Sequence, residues 1–244
     1  MNTKNVFQTT LKSKFSLTGL GAFTGKKVTI NCYPSKADQG IVFSTEKGRV
    51  KADWRNVRES KIHYHTTELA LNGSSVTTTE HILSAFYGMG VDNVLIEIGK
   101  GFSLPIFDAS ARFVAQKIKN IGVRNLETPR NIAVIKEPLI YRQKESFIFL
   151  VPGKDFRVHA MIDFPNVIGI QRYSVNLENT ENYLKEISFA RTFFSKPIKK
   201  ENWEKYRREF KILSEDYVDS DIIVYNEKRS EERRVGKECR SRLS

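Results

Sequence analysis

The chain has 244 residues, 40% apolar and 28% charged, and its 40 Lys and Arg against 28 Asp and Glu give a formal charge of +12. That composition suits a globular protein with one large or two small cores and excludes the disordered, fibrous and disulfide-scaffold classes. No run of about 18 apolar residues occurs and the start, MNTKNVFQTTLKSKFS, lacks the apolar block of a signal peptide, so a cytoplasmic protein is expected.

From Phe15 to Ile41 short β-rich runs alternate with glycine turns, predicting strands and hairpins. The period then changes. Between Thr79 and Gly90, Ile82, Leu83, Ala85, Phe86 and Met89 fall on one helical face and Gly88 and Gly90 close the segment, which predicts a helix of about three turns. VDNVLIEIG reads as a strand, SLPIFDAS as a turn and ARFVAQKIKNIGV as a second helix. The polar stretch RNLETPRN is expected to separate this half from a second one, with the boundary near residues 124 to 130. There IAVIKEPLIYR, SFIFLVPG, FRVHAMIDF and QRYSVNL read as strands, and TENYLKEISFA as a helix with Thr180 as N-cap and Leu184, Ile187 and Phe189 or Ala190 inward. The positive charge gathers late. Residues 196 to 211 carry seven Lys or Arg and three Glu, with Trp203, Tyr206 and Phe210 at helical spacing. They read as an amphipathic helix with a solvated face, and without an RNA-binding motif no nucleic-acid partner is expected. DIIVYNEK reads as a strand. The last sixteen residues, RSEERRVGKECRSRLS, have six basic and three acidic side chains and hardly any apolar ones. They read as a non-native or disordered tail that packs against nothing.

Several residues could carry chemistry, each beside a plain structural role. Glu80 and His81 open the first helix. Thr77 and Glu80 stand at capping-box spacing; alternatively an imidazole there binds zinc while the adjacent carboxylate deprotonates the metal-bound water. Asp108 in PIFDAS suits an Asx-turn. His63 and His65, flanking Tyr64, share a face if the segment is extended. Gly19, Gly21 and Gly25 with Lys26 and Lys27 fit a hairpin turn better than a phosphate cradle. Arg191 and Thr192 follow the later helix, where a cation meets the dipole or a hydroxyl donates to a developing oxyanion.

In this order and spacing, GLGAFTGKKV, HTTEL, TTTEHILSAFYGMGVDNVLIEI, LPIFDAS, an IGIQ element and ISFARTF resemble the UDP-3-O-acyl-N-acetylglucosamine deacetylase family of lipid A synthesis, over residues 10 to 195 with a fainter continuation to 227. The resemblance implies an α+β fold of two domains of similar topology, each a β-sheet layer packed on a pair of helices. Residues 1–126 would form the first, 127–228 an incomplete second, and 229–244 the tail. It implies zinc-assisted hydrolysis of the sugar's N-acetyl group. His81 would be a zinc ligand, Glu80 the general base and Thr192 a catalytic donor to the acetyl oxygen. Phe193, His65 and Asp108 match positions that meet substrate. The implied partner is an acylated UDP-sugar, taken by a monomer associated peripherally with membrane lipid enzymes.

Three departures from the family pattern stand out. Phe23 replaces a histidine, SEDYVDS at 214–220 replaces a glycine-glycine-serine element, and no histidine follows His159, so the family's histidine-lysine-x-x-aspartate zinc motif and later catalytic histidine are absent from the sequence. The expectation is therefore a truncated, inactive fragment of the enzyme. Its rival is a non-catalytic divergent paralogue that binds a nucleotide-sugar or a protein partner.

Overall fold

The structure is a computed structural model that describes residues 7–22, 24, 26–59, 66–164, 169–194 and 223–224. In the first half, the strands are β1 (Phe7–Leu11), β2 (Phe15–Leu20), β3 (Lys27–Pro34), β4 (Ile41–Thr45), β5 (Gly48–Lys51), β6 (Val57–Arg58), β7 (Glu68–Leu71), β8 (Ser74–Val76) and β9 (Val94–Ile98). The helices α1 (Glu80–Gly88) and α2 (Arg112–Ile121) lie where the 3.6-residue pattern predicts them. Strands β2-β3-β9-β4-β5 make one sheet, antiparallel except for the parallel β4/β9 pair.

Register explains the core. Phe15 pairs with Cys32, Cys32 with Ile96, Ile96 with Phe43, and Phe43 with Val50, so one buried row crosses all five strands. Side chains alternate across a strand, so this row and its neighbours Val28, Ile30 and Val94 face the same side. That face is covered by Ile82, Ala85 and Phe86 of α1 and by Val114, Ala115 and Ile118 of α2. Burial raises the Cys32 thiol well above its ordinary pKa, which leaves it as a small apolar packing residue. The fold class is α+β, as expected.

Within the polar stretch expected to separate two halves near residues 124 to 130 lies a strand, β10 (Val123–Pro129), antiparallel to β1. Much of its surface is exposed, so backbone pairing rather than apolar alternation holds it. A polar knot ties β1 to the start of β9. Buried Asn93 donates from Nδ2 to Gln8 Oε1 at 3.0 Å and accepts at Oδ1 from the Gly40 N–H at 2.9 Å, while Asp92 pairs with Arg130 at 2.7 Å.

The second half contains two separate hairpins, β11 (Leu139–Gln143) with β12 (Ser146–Leu150) and β13 (Arg157–Phe164) with β14 (Gly169–Asn176). A short helix follows, α3 (Thr180–Asn182), continuing as a π-helical turn through Ile187. Its N-cap is Asn179, whose side chain accepts from the Asn182 N–H at 2.8 Å. Thr180, expected in that role, is the first helical residue. Asn179 is extended and places its oxygen over the open N–H groups, which Thr180, already helical, cannot do. Leu184 and Ile187 do pack inward, joined by Tyr183, which is fully part of the first half's core. Tyr183 lies against Gly88 of α1, where a Cβ would sit 2.3 Å from its ring, and its hydroxyl meets Ser84 Oγ at 2.9 Å. Burial pushes the Tyr183 phenol up to about 12. Two-residue strands β15 (Phe193–Phe194) and β16 (Ile223–Val224) pair in parallel. The basic 196–211 segment and the last sixteen residues lie outside the described residues.

Candidate active site

The start of α1 is stitched to the segment before β7. Thr79 Oγ1 donates to the Thr67 carbonyl at 3.0 Å, the Thr78 N–H donates to Thr66 Oγ1 at 2.8 Å, and the Thr67 N–H donates to Glu80 Oε2 at 3.0 Å. One oxygen of Glu80 is thereby held while the carboxylate stays half-buried. The capping box expected of Thr77 and Glu80 is not formed. The N-cap residue is Thr79, with no side-chain cap bond, and Thr77 Oγ1 is buried without a hydrogen-bond partner, as is Thr78 Oγ1. The cause lies in Thr78, whose φ of 63° is left-handed for a β-branched residue. That bend carries Thr77 away from the helix axis and onto the Phe102–Leu104 segment, with which its backbone pairs. Such conformations cost on the order of 1–3 kcal/mol and gather at functional sites.

His81 is the next residue. Loss of water contact lowers its pKa below the ordinary imidazole value of 6.5, opposed by the charges of Glu80 and Asp108. Desolvation wins, so the ring is neutral at pH 7, the form in which imidazole binds a metal.

Asp108 is the shared neighbour. It sits in the turn before α2 at 6% side-chain exposure, and its Oδ1 accepts from Ser110 Oγ at 2.6 Å and from the Ser110 N–H at 3.3 Å, the predicted Asx-turn. Its Oδ2 faces Arg112 at 3.0 Å and Arg191 at 3.7 Å. Arg191, expected at a helix C-terminus, lies past the helix end and turns to Asp108 instead. The Thr192 N–H donates to the Ala109 carbonyl at 3.0 Å. The sequence signals at 108 and 191–192 thus meet around one turn, and the charge of Asp108 bears on His81. His65 lies outside the described residues, and of Phe193 only the backbone, in β15, is described. Phe23 is also outside them; β2 and β3 do pair as the expected hairpin, with the Gly21 N–H donating to the Lys26 carbonyl. A shallow concavity lined by Arg58, Leu71, Asn72 and Ser74 includes none of the residues above.

Sequence reasoning missed two parts of this arrangement. Nothing in a run of three threonines signals a left-handed residue, since Gly or Asn would be its usual mark. Nothing in the local sequence pairs Arg191 with Asp108.

Comparison with known proteins bears on the same segments. The sequence profile of the UDP-3-O-acyl N-acetylglycosamine deacetylase family, LpxC, matches residues 8–235. The chain belongs to this family. Deacetylases of the same description from Syntrophus aciditrophicus, Geotalea uraniireducens and Solibacter usitatus are 35%, 30% and 34% identical to it over 77% of the chain. The match spans 59%, 61% and 63% of those LpxC proteins' own lengths.

Proposed function

We propose that the protein is part of an LpxC deacetylase, which in extended form hydrolyses the N-acetyl group of a UDP-3-O-acyl-N-acetylglucosamine to acetate and a free amine in lipid A synthesis, the 244-residue chain alone being inactive. What supports this reading is the family match over residues 8–235, together with Glu80 and His81 at the start of α1 and residues 191–192 held at the Asp108 turn. His81, a neutral imidazole at a helix start, fits one position of the three that a catalytic zinc normally takes from protein. Among the described residues no three of His, Cys, Asp and Glu gather into a metal-holding group. Zinc, when bound, supplies a Lewis acid that lowers the pKa of water toward neutrality. Glu80 is the general base: one oxygen is fixed by the Thr67 N–H and the other is left to take a proton. Thr192 donates its hydroxyl to the acetyl oxygen as negative charge develops there. Asp108, His65 and Phe193 belong to the substrate side of the site. Residues 1–126 and 127–228 form the two units of the enzyme, which works as a cytoplasmic monomer beside membrane lipid enzymes. No helix among the described residues is long and apolar enough to cross a membrane.

Zinc content and acetate release test the reading in three proteins: this chain, the chain extended to the length of its relatives, and that extended protein with Glu80→Gln. This chain should bind zinc weakly and turn nothing over, since one imidazole leaves other ligand positions to water. The extended protein should do both, and Glu80→Gln should cost about a hundredfold or more in rate. Stoichiometric zinc and turnover in the chain alone would overturn the ligand assignment. The extended protein failing to release acetate while binding the UDP-sugar would favour the non-catalytic paralogue.

A further inference from the structure

We propose that Asp108 and Arg191 are a positioning pair: the buried carboxylate of the PIFDAS turn holds the guanidinium that fixes Thr192 against that turn. The inference rests on the reading of those residues as one site, but concerns geometry that this chain already has.

The turn is built to present two groups at once. Phe107 and Ala109, on either side of Asp108, have φ of 52° and 63°, and neither is glycine. Backbone of this kind persists where the surroundings over-determine it, and here they do. The Phe107 ring lies 3.0 Å from where a Gly19 Cβ would project from β2, and it stacks on Phe113 of α2 at 5.7 Å. So braced, the turn holds the Asp108 carboxylate toward Arg191 and presents the Ala109 carbonyl to the Thr192 N–H.

The two arginines at Asp108 differ in kind. Arg112 is an i,i+4 neighbour with 40% of its side chain exposed; it balances the charge locally without reaching residue 192. Arg191 is 15% exposed and arrives from beyond the 180–187 segment of the second half. At 3.7 Å its contact with Oδ2 is Coulombic rather than a hydrogen bond, and at that burial salt screens it little. Because Ser110 and Arg112 still hold Asp108 when Arg191 is neutralised, the turn should survive the loss of Arg191. What should loosen is the register of 191–192 against it.

Amide hydrogen exchange, followed by NMR on the full 244-residue chain, tests this without metal or substrate. Arg191→Met should speed exchange of the Thr192 N–H at least tenfold, leaving the Ala115 N–H of α2, bonded to Ala111, unchanged. Arg191→Lys, which keeps the charge, should recover most of the protection. Asp108→Asn should speed Thr192 as Arg191→Met does, and combining the two should add little more. Unchanged exchange at Thr192 in Arg191→Met, or an equal rise at Ala115, overturns the proposal. If Asp108→Asn fails to fold, the two Arg191 variants still decide. A failure of the deacetylase reading would leave this exchange pattern intact, so the two outcomes are separable.

Discussion

Strands β3 and β12 are both rich in apolar side chains and are treated in opposite ways by the fold. In β3 the buried residues Val28, Ile30 and Cys32 alternate with more exposed ones. In β12 the four residues Phe147, Ile148, Phe149 and Leu150 run consecutively and all are exposed, Phe147 at 63%, while Ile140, opposite Phe149, is 71% exposed. Alternation says which face of a strand is covered, and here the covering helices follow within the same half. A continuous run is the pattern of a strand covered on both faces. Among the described residues nothing local to the β11–β12 hairpin provides that cover, and an isolated two-stranded hairpin is marginal in water.

The largest effect should come from the buried row. Phe43→Ala removes a fully buried ring paired with Ile96 and Val50 and should destabilise the first half by about 4 kcal/mol, whereas Phe149→Ala in β12 should change it by less than about 0.5 kcal/mol. Urea unfolding of both variants, followed by near-ultraviolet signal, checks the contrast; equal losses would mean the hairpin shares the core.

A smaller loss is expected at the joint between the halves. Gly88→Ala puts a methyl group 2.3 Å from the Tyr183 ring, an overpacking that should cost about 2 kcal/mol and lift the 180–187 segment from α1. Its helix would then resemble the hairpins more than the core. Exchange of the Ser188 N–H, bonded to the Tyr183 carbonyl, should quicken while that of Ala115 holds.

The smallest effect concerns pH. The folded-state pKa of His81 lies below 6.5 because burial disfavours its charged form, so the unfolded chain binds more protons there and stability falls as pH drops below 6.5. Melting temperatures at pH 7.5 and 5.5 should show a larger acid loss for the wild type than for His81→Gln. An identical loss in both would place the acid sensitivity elsewhere.

Legibility in the sequence followed the source of each element's stability. Elements held by a covered apolar face, such as β3, β9, α1 and α2, carried a period and were readable. Strand β10 was not, because it is held by backbone bonds to β1 and leaves polar side chains such as Arg124 and Asn125 in water. The run GVDNVLIEI, among the most specific marks of the family, proves largely architectural where it is polar: Asp92 and Asn93 serve β1 and the Gly40 backbone. The candidate site is drawn from resemblance alone, since Glu80 next to His81 suits a cap as readily as it suits catalysis. Thr78's left-handed bend and the reach of Arg191 to Asp108 depend on tertiary contacts that no local pattern records.

The pairing of β1 with β10 sets a timetable for synthesis. Phe7 finds its partner at Pro129, so β1, once made, waits for a strand at the far end of its half. At 5–20 residues per second that wait is on the order of ten seconds. Throughout it Leu11, which ends with no solvent exposure, and an open strand edge are presented to whatever is nearby. The nascent chain is therefore open to aggregation at β1 throughout that wait, and a chaperone that shields β1 until β10 emerges would raise the yield of folded protein more than one acting on the finished chain.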